Sequence, residues 1–269
     1  MSRDKQRLDS FLFNEGYFPS REKARSAIMA GLVYVNDQKV DKAGTKVYPD
    51  VKIDIRGNTL RYVSRGGLKL EKAIKTFQLD LNDKIIMDVG ASTGGFTDCA
   101  LQHGARLIYA VDVGYGQLAW SLRNNPQVIL LERTNIRYLE REQLKECPEF
   151  VTVDVSFISI VKILPKLVEL TTSYAGGVAL IKPQFEAGPD KVGKKGVVRD
   201  ANVHIDVIFK VLTAVSDSGW GILGLDFSPI RGPEGNIEYL AYFSKNRKTE
   251  LNLEQVIPQI VEQAHNKLH

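Results

Sequence analysis

From residue 85 onward, short apolar runs alternate with amphipathic stretches. Runs near 85–89, 107–112, 128–131, 150–155, 177–182, 221–227 and 238–243 have the length and β-branched content of buried strands. Between them, stretches near 94–103, 115–123, 140–145, 158–170 and 203–218 carry helical spacing, and so does 68–77, with Leu70, Ala73, Ile74 and Phe77 on one stripe. Strand alternating with helix predicts an α/β chain, a doubly wound sheet of mostly parallel strands. The last two strands are joined by the Gly/Pro-rich segment Ser228 to Asn236, too short for a crossover helix, so the final strand is expected to run antiparallel. Residues 247–267 read as a closing amphipathic helix.

The first 58 residues follow another rhythm. A helix is expected over 4–15, with Leu8, Phe11 and Leu12 on one face. A second is capped by Ser20 and stopped by Gly31. Alternating Val33-Tyr34-Val35, a turn at Asn36-Asp37, then Val40, Val47, Val51, Ile53 and Ile55 predict a small twisted sheet. The expected organisation is thus a small α+β domain over 1–58, an Arg- and Gly-rich linker over 59–67, the α/β domain over 68–246 and a C-terminal helix over 247–269.

Composition adds one thing to this picture. With 269 residues, 43% hydrophobic and 25% charged, the chain is an ordinary globular one. Its net charge of +4 is uneven, however: residues 1–75 hold 16 Lys and Arg against 9 Asp and Glu. A polyanion is the natural partner of such an end, although a merely solvated basic face has the same composition. Cys99 and Cys147 form neither a disulfide framework nor a metal cluster, and suit a reducing cytoplasm. The polar start Met1 to Arg7 leads into no signal-like core, and no run reaches the roughly 18 apolar residues of a spanning helix.

The chemistry is announced by Asp88-Val89-Gly90-Ala91-Ser92-Thr93-Gly94-Gly95-Phe96-Thr97-Asp98, a glycine-rich turn between a strand and a helix, followed by a strand ending on Asp112. Such a turn seats a nucleoside cofactor across the strand ends. Ser92 stands where dinucleotide enzymes place their second glycine. Asp88 would repel a pyrophosphate but suit the ammonium and sulfonium of S-adenosylmethionine, and Asp112 suits ribose hydroxyls. Each acid taken alone is also compatible with a helix cap. The expected cofactor residues are Asp88, Gly90, Ser92, Gly94, Gly95, Phe96, Asp112 and Asp154. Near the ends of other strands and the start of the first helix lie Lys69, Asp154, Lys182 and Glu238, candidates for catalysis, with a surface ion pair between Lys69 and Glu238 as the bland alternative.

These residues carry a resemblance. Arg7-Leu8-Asp9, Ser20 to Arg25 and Gly31 to Asn36 resemble the S4 RNA-binding domain. The Asp-x-Gly-Ala-x-x-Gly-Gly-Phe turn, with Lys69, Asp154, Lys182 and Glu238 in that order, resembles the FtsJ-type ribose 2′-O-methyltransferases and their Lys-Asp-Lys-Glu set. That family has Pro where this chain has Thr93 and often Trp where it has Phe96. Together the two parts resemble the TlyA family, often labelled hemolysin A, over roughly residues 3 to 245. The resemblance implies a Rossmann-like, seven-stranded methyltransferase sheet and methyl transfer from S-adenosylmethionine to a ribose 2′-hydroxyl, of cytidine, in ribosomal RNA or ribosomal subunits, with no metal.

A protonated ribose hydroxyl is a poor nucleophile, so Lys182 is expected to orient it or take its proton, Lys69 lending repulsion that frees Lys182 of its own. Lys69 and Glu238 would position it, and Asp154 would orient the lysine and hold the methionine ammonium. For RNA, the expected contacts are Arg7, Arg21, Lys23, Arg25 and Arg65, and Lys194, Lys195 and Arg199 in a patternless loop, Gln184 to Asp200, expected to order on RNA. The rivals are a non-catalytic ribosome-assembly factor, a membrane-active hemolysin and a nicotinamide oxidoreductase.

Overall fold

A computed structural model describes residues 5–18, 20–56, 61–193 and 195–268. Its contacts divide the chain into two compact units, Met1–Arg61 and Tyr62–His269.

In the first unit β1 (Gln6–Arg7) runs directly into α1 (Leu8–Asn14), so the first helix starts later than its periodicity suggests: the backbone of Gln6 and Arg7 is paired with β4 (Lys46–Val47). Next come α2 (Arg21–Met29), β2 (Val33–Val35), β3 (Gln38–Lys39) and, after β4, β5 (Ile53–Ile55). Ser20 caps α2 by accepting from the Lys23 amide at 3.2 Å. Asn36 and Asp37 both take positive φ, as a two-residue hairpin requires. The core is small: Leu8, Phe11, Leu12, Phe18, Ala24, Ala27, Ile28, Val33 and Val47.

The second unit opens with α3 (Gly66–Phe77), then β6 (Ile85–Val89), α4 (Gly95–Gln102), β7 (Leu107–Val111), α5 (Trp120–Arg123), β8 (Val128–Leu131) and β9 (Phe150–Val153). It continues with α6 (Leu164–Leu170), β10 (Gly176–Ile181), α7 (Pro183–Glu186), α8 (Ala201–Asp217), β11 (Gly221–Phe227), β12 (Tyr239–Ser244) and α9 (Leu253–Lys267). The seven strands lie in the order β11-β12-β10-β9-β6-β7-β8. β6 to β10 are mutually parallel, and β12 pairs antiparallel with both β10 and β11.

Side-chain alternation sends the two faces of the sheet into two cores. Met87, Tyr109, Val151 and Ala179 join α6, α8 and α9 on one side; Ile86, Ile108, Phe150 and Val178 join α3 and α4 on the other. The chain leaves β6 toward β7 and β8, then returns to place β9 on the other flank of β6. The crevice therefore opens beyond the ends of β6 and β9. Four expected helices shrink: 158–170 is α-helical only over Leu164–Leu170, behind a 3-10 turn at Ile160–Lys162, and 247–267 only over Leu253–Lys267. Over 115–123 only Trp120–Arg123 is helical, since Gly116 sits at φ +73, and 140–145 holds a single 3-10 turn, Arg141–Gln143. Residues 62–67 pack within the second unit and are not a free linker: a Cβ on Gly95 would lie 2.3 Å from Ser64 Oγ and 2.8 Å from Gly67 N, and Asp98 accepts from the Val63 amide at 2.7 Å. Among the described residues no helix is long and apolar enough to cross a membrane.

Candidate active site

Four separate elements deliver one ionic cluster to the crevice. Lys69 is on the first turns of α3, Asp154 follows β9, Lys182 follows β10 and Glu238 precedes β12. Lys69 Nζ lies 2.6 Å from Glu238 Oε2 and 4.0 Å from Asp154 Oδ2; Lys182 Nζ lies 2.6 Å from Asp154 Oδ1. Asp154 thus stands between two ammonium groups. All four sequence candidates meet, but the relation between the lysines differs from expectation. Each faces a carboxylate, because Asp154 and Glu238 intervene where direct repulsion was anticipated. The lysine side chains are only 9% exposed, Asp154 is 19% exposed and Glu238 1%. Burial pushes the Glu238 carboxyl up, against the pull of Lys69. The 228–236 loop seals it: a Cβ on Gly232 would meet Glu238 Oε1 at 2.6 Å.

The glycine-rich turn lies against this cluster. Gly90 has φ +85, and a Cβ there would lie 2.5 Å from the Asp154 carbonyl oxygen, so glycine is needed on both counts. Asp112 accepts from the Ser92 amide at 2.7 Å and the Gly114 amide at 2.6 Å, which fixes the turn and leaves further lone pairs toward the crevice. Asp88 departs from expectation. It is 1% exposed, and its two oxygens accept from Thr97 at 2.6 Å and Thr152 at 2.8 Å, so it ties α4 to β9 beneath the turn. Burial raises its carboxyl to about 6 against those two hydroxyls. Phe96 also turns inward: at 3% exposure it packs with the α3 side of the sheet, at helical spacing from Cys99 and Ala100. Gly94 and Gly95 are buried by protein contacts with Leu118, Leu122, Ser64 and Gly67. The accessible positions are Gly90, Ser92, Asp112 and Asp154. Two carboxylates and a turn without Lys or Arg fit a cationic, phosphate-free cofactor, which is what S-adenosylmethionine is.

Several neighbours escaped the sequence reading. Ser156 Oγ accepts from Lys182 Nζ at 2.9 Å. Phe157, 92% exposed at φ +63, meets the Phe185 ring at 5.0 Å between centroids. The Arg133 guanidinium covers the exposed Tyr115 ring at 4.3 Å, beyond Asp112. Their signal was adjacency: each aromatic follows within three residues of a singled-out acid or lysine.

The loop after Gln184 is less patternless than its sequence. Its first residues complete α7, and a 3-10 turn follows at Pro189–Lys191. Asn236 fastens its far end, accepting from the Val198 amide at 3.0 Å and donating to the Gly196 carbonyl at 2.8 Å. His204, pushed down to about 4 by burial, donates to the Val198 carbonyl at 3.1 Å. Lys195, Arg199 and Arg65 are exposed, and Lys194 lies outside the described residues.

In the first unit, the buried Asp9 carboxylate accepts from Arg7 Nε and Nη2 at 3.1 and 2.9 Å and from Arg21 Nη2 at 3.2 Å. Arg7, chiefly, holds that carboxyl well below the usual range. Both arginines stay about half exposed, Arg25 is exposed and Lys23 half-buried.

Two family models match: an S4 domain over residues 6–53 and an FtsJ-like methyltransferase over 62–245. A Bacillus subtilis chain provisionally described as an rRNA methyltransferase, YqxC, is 50% identical, covering 100% of this chain and 97% of that one. The 16S/23S rRNA (cytidine-2′-O)-methyltransferase TlyA of Mycobacterium tuberculosis is 40% identical over 88% of each. A solved structure from Streptococcus thermophilus, provisionally described as a hemolysin, is 45% identical with a TM-score of 0.77, covering 98% of this chain and 97% of that one. The S4 and FtsJ-like matches in series, with relatives 50% and 40% identical over most of the chain, place this chain in the TlyA family of S4-fused, FtsJ-like methyltransferases.

Proposed function

We propose that the protein methylates a ribose 2′-hydroxyl of ribosomal RNA, on cytidine, in the cytoplasm, with the S4 unit docking the RNA. The observation that carries this reading is the close cluster of Lys69, Asp154, Lys182 and Glu238 against the glycine-rich turn. When bound, S-adenosylmethionine supplies an electrophilic methyl group; Asp112 and the turn would hold its nucleoside. Lys182, held by Asp154 2.6 Å away, orients the incoming hydroxyl and steadies the negative charge that builds on its oxygen as it attacks. Lys69, itself paired with Glu238, holds the other side of Asp154. Phe157 offers an exposed aromatic face for the target base. The cytidine assignment leans on the name of the Mycobacterium relative, which states that activity for that protein.

The test is a map of ribose methylation in ribosomal RNA from cells with and without the protein, repeated with purified subunits and protein. A methyl mark that depends on the protein and vanishes with Lys182→Ala is expected. An unchanged map, or Lys182→Ala with wild-type transfer and unaltered RNA and cofactor binding, overturns the reading.

A further inference from the structure

Besides Asp88, a second buried acid near the crevice lies outside the ionic cluster and has no part in the chemistry derived above. Glu186 is 4% exposed. Its Oε2 accepts from Ser159 Oγ at 2.6 Å and its Oε1 from the Ile160 amide at 2.7 Å. Burial raises its carboxyl, and the two donors oppose that rise. Its own carbonyl accepts from Lys210 Nζ at 3.0 Å, which moors the end of α7 to α8.

These contacts belong to a series. The segments after β9 and after β10 lie side by side and touch in order along their length. Lys182 reaches Asp154 and Ser156, Phe185 meets Phe157, and Glu186 closes on Ser159 and Ile160. Between the first and last of these ties sits Phe157, a bulky residue at φ +63 with its ring almost wholly in solvent. A side chain of that kind holds a left-handed conformation only where its flanks are fixed. Lys182 fixes one flank through Ser156, and Glu186 fixes the other through Ser159 and Ile160.

We propose that Glu186 is a positioning residue for methyl transfer: it locks the Ser156–Ile160 turn onto α7, so that Lys182 Nζ, the Ser156 hydroxyl and the Phe157 ring form one preformed edge for the target nucleotide. This rests on the proposed function. Glutamine at 186 preserves both contacts, its carbonyl accepting from the Ile160 amide and its amide donating to the Ser159 hydroxyl, whereas alanine removes both.

The experiment compares full-length wild type, Glu186→Ala, Glu186→Gln, Ser159→Ala and the Glu186→Ala/Ser159→Ala double variant. Single-turnover methylation of ribosomal subunits, S-adenosylmethionine binding, thermal midpoint and hydrogen exchange over residues 155–162 are measured on each. Glu186→Ala is expected to slow transfer at saturating RNA by about tenfold to a hundredfold, the scale of a misplaced reacting group, with S-adenosylmethionine affinity unchanged. Exchange over the turn should rise by about tenfold, Glu186→Gln should restore both readouts, and the double variant should be no worse than Glu186→Ala. Wild-type transfer in Glu186→Ala, a loss that follows only the unfolded fraction, or Glu186→Gln as impaired as alanine overturns the proposal. Unchanged exchange over the turn overturns it whatever the activity. A wild-type protein that methylates no subunit while exchange responds as expected refutes the proposed function and leaves the lock standing.

Discussion

Both units gather cations around a carboxylate, and they treat the result in opposite ways. In the S4 unit Asp9 is buried, yet Arg7 and Arg21, which it orients, keep about half of their side-chain surface in water. In the methyltransferase unit Lys69 and Lys182 are themselves withdrawn to 9% exposure. Guanidinium groups held stiffly at a surface can meet phosphates and release counterions without first being ordered. Ammonium groups withdrawn from water act on one atom at short range, where the local dielectric lets a single charge matter. On the proposed function, the same ingredients make an affinity device in one place and a chemical device in the other. Burial of the cation, more than its partner, separates the two.

The sharpest way to break this contrast is Lys182→Ala. Methyl transfer should fall by about a hundredfold to ten-thousandfold while RNA affinity holds, as single-turnover assays and filter binding would show. Comparable loss of binding would mean that the cluster is also an affinity device. Next in size is Phe157→Ala, which should cost about tenfold in transfer at limiting RNA if its exposed ring stacks a base. No change in the RNA dependence would leave that ring without a role in substrate binding. Arg21→Ala should weaken RNA binding several-fold and lower the slope of log affinity against log salt by about one, with the rate at saturating RNA unaltered. An altered saturated rate would blur the division of labour.

The effect expected to be smallest on methyl transfer, because it is read in stability, tests a carboxylate that belongs to neither device. Asp88, raised from 3.8 to about 6, binds its proton more tightly in the folded chain than in the unfolded one. The stability this contributes is full below pH 3.8 and is lost as the pH rises through about 6. Asp88→Asn should therefore flatten the curve of stability against pH relative to wild type over that window, by on the order of 2–3 kcal/mol. Denaturant unfolding at pH 4, 5, 6 and 7 checks it, and parallel curves for the two proteins would show that Asp88 does not titrate there.

Much of this architecture was legible in the sequence for identifiable reasons. Strands such as Ile85–Val89 and Gly176–Ile181 are apolar runs bounded by turn residues, and buried parallel strands have that appearance. The antiparallel β12 followed from the brevity of the Ser228 to Asn236 connection. The ionic cluster was visible because four charged residues fell at element ends, which an α/β sheet brings to one edge. What stayed hidden was pairing. Asp88 reads as a crevice acid until Thr97 and Thr152, from two other elements, are seen to enclose it. Lys69 and Lys182 read as mutual neighbours until Asp154 is seen between them. Glu186 went unnoticed because its partners, Ser159 and Ile160, carry no chemical signature of their own.

Gly90 carries one more consequence. Its missing side chain lets the main chain of the cofactor turn rest against the Asp154 carbonyl, where a Cβ would stand 2.5 Å away. The spacing between the glycine-rich turn and the main chain of Asp154 is therefore gauged by bare backbone. A single added methyl would act as a shim that drives the turn off Asp154 and, on the proposed function, lengthens the reach of the transfer while leaving every side chain of the cluster intact.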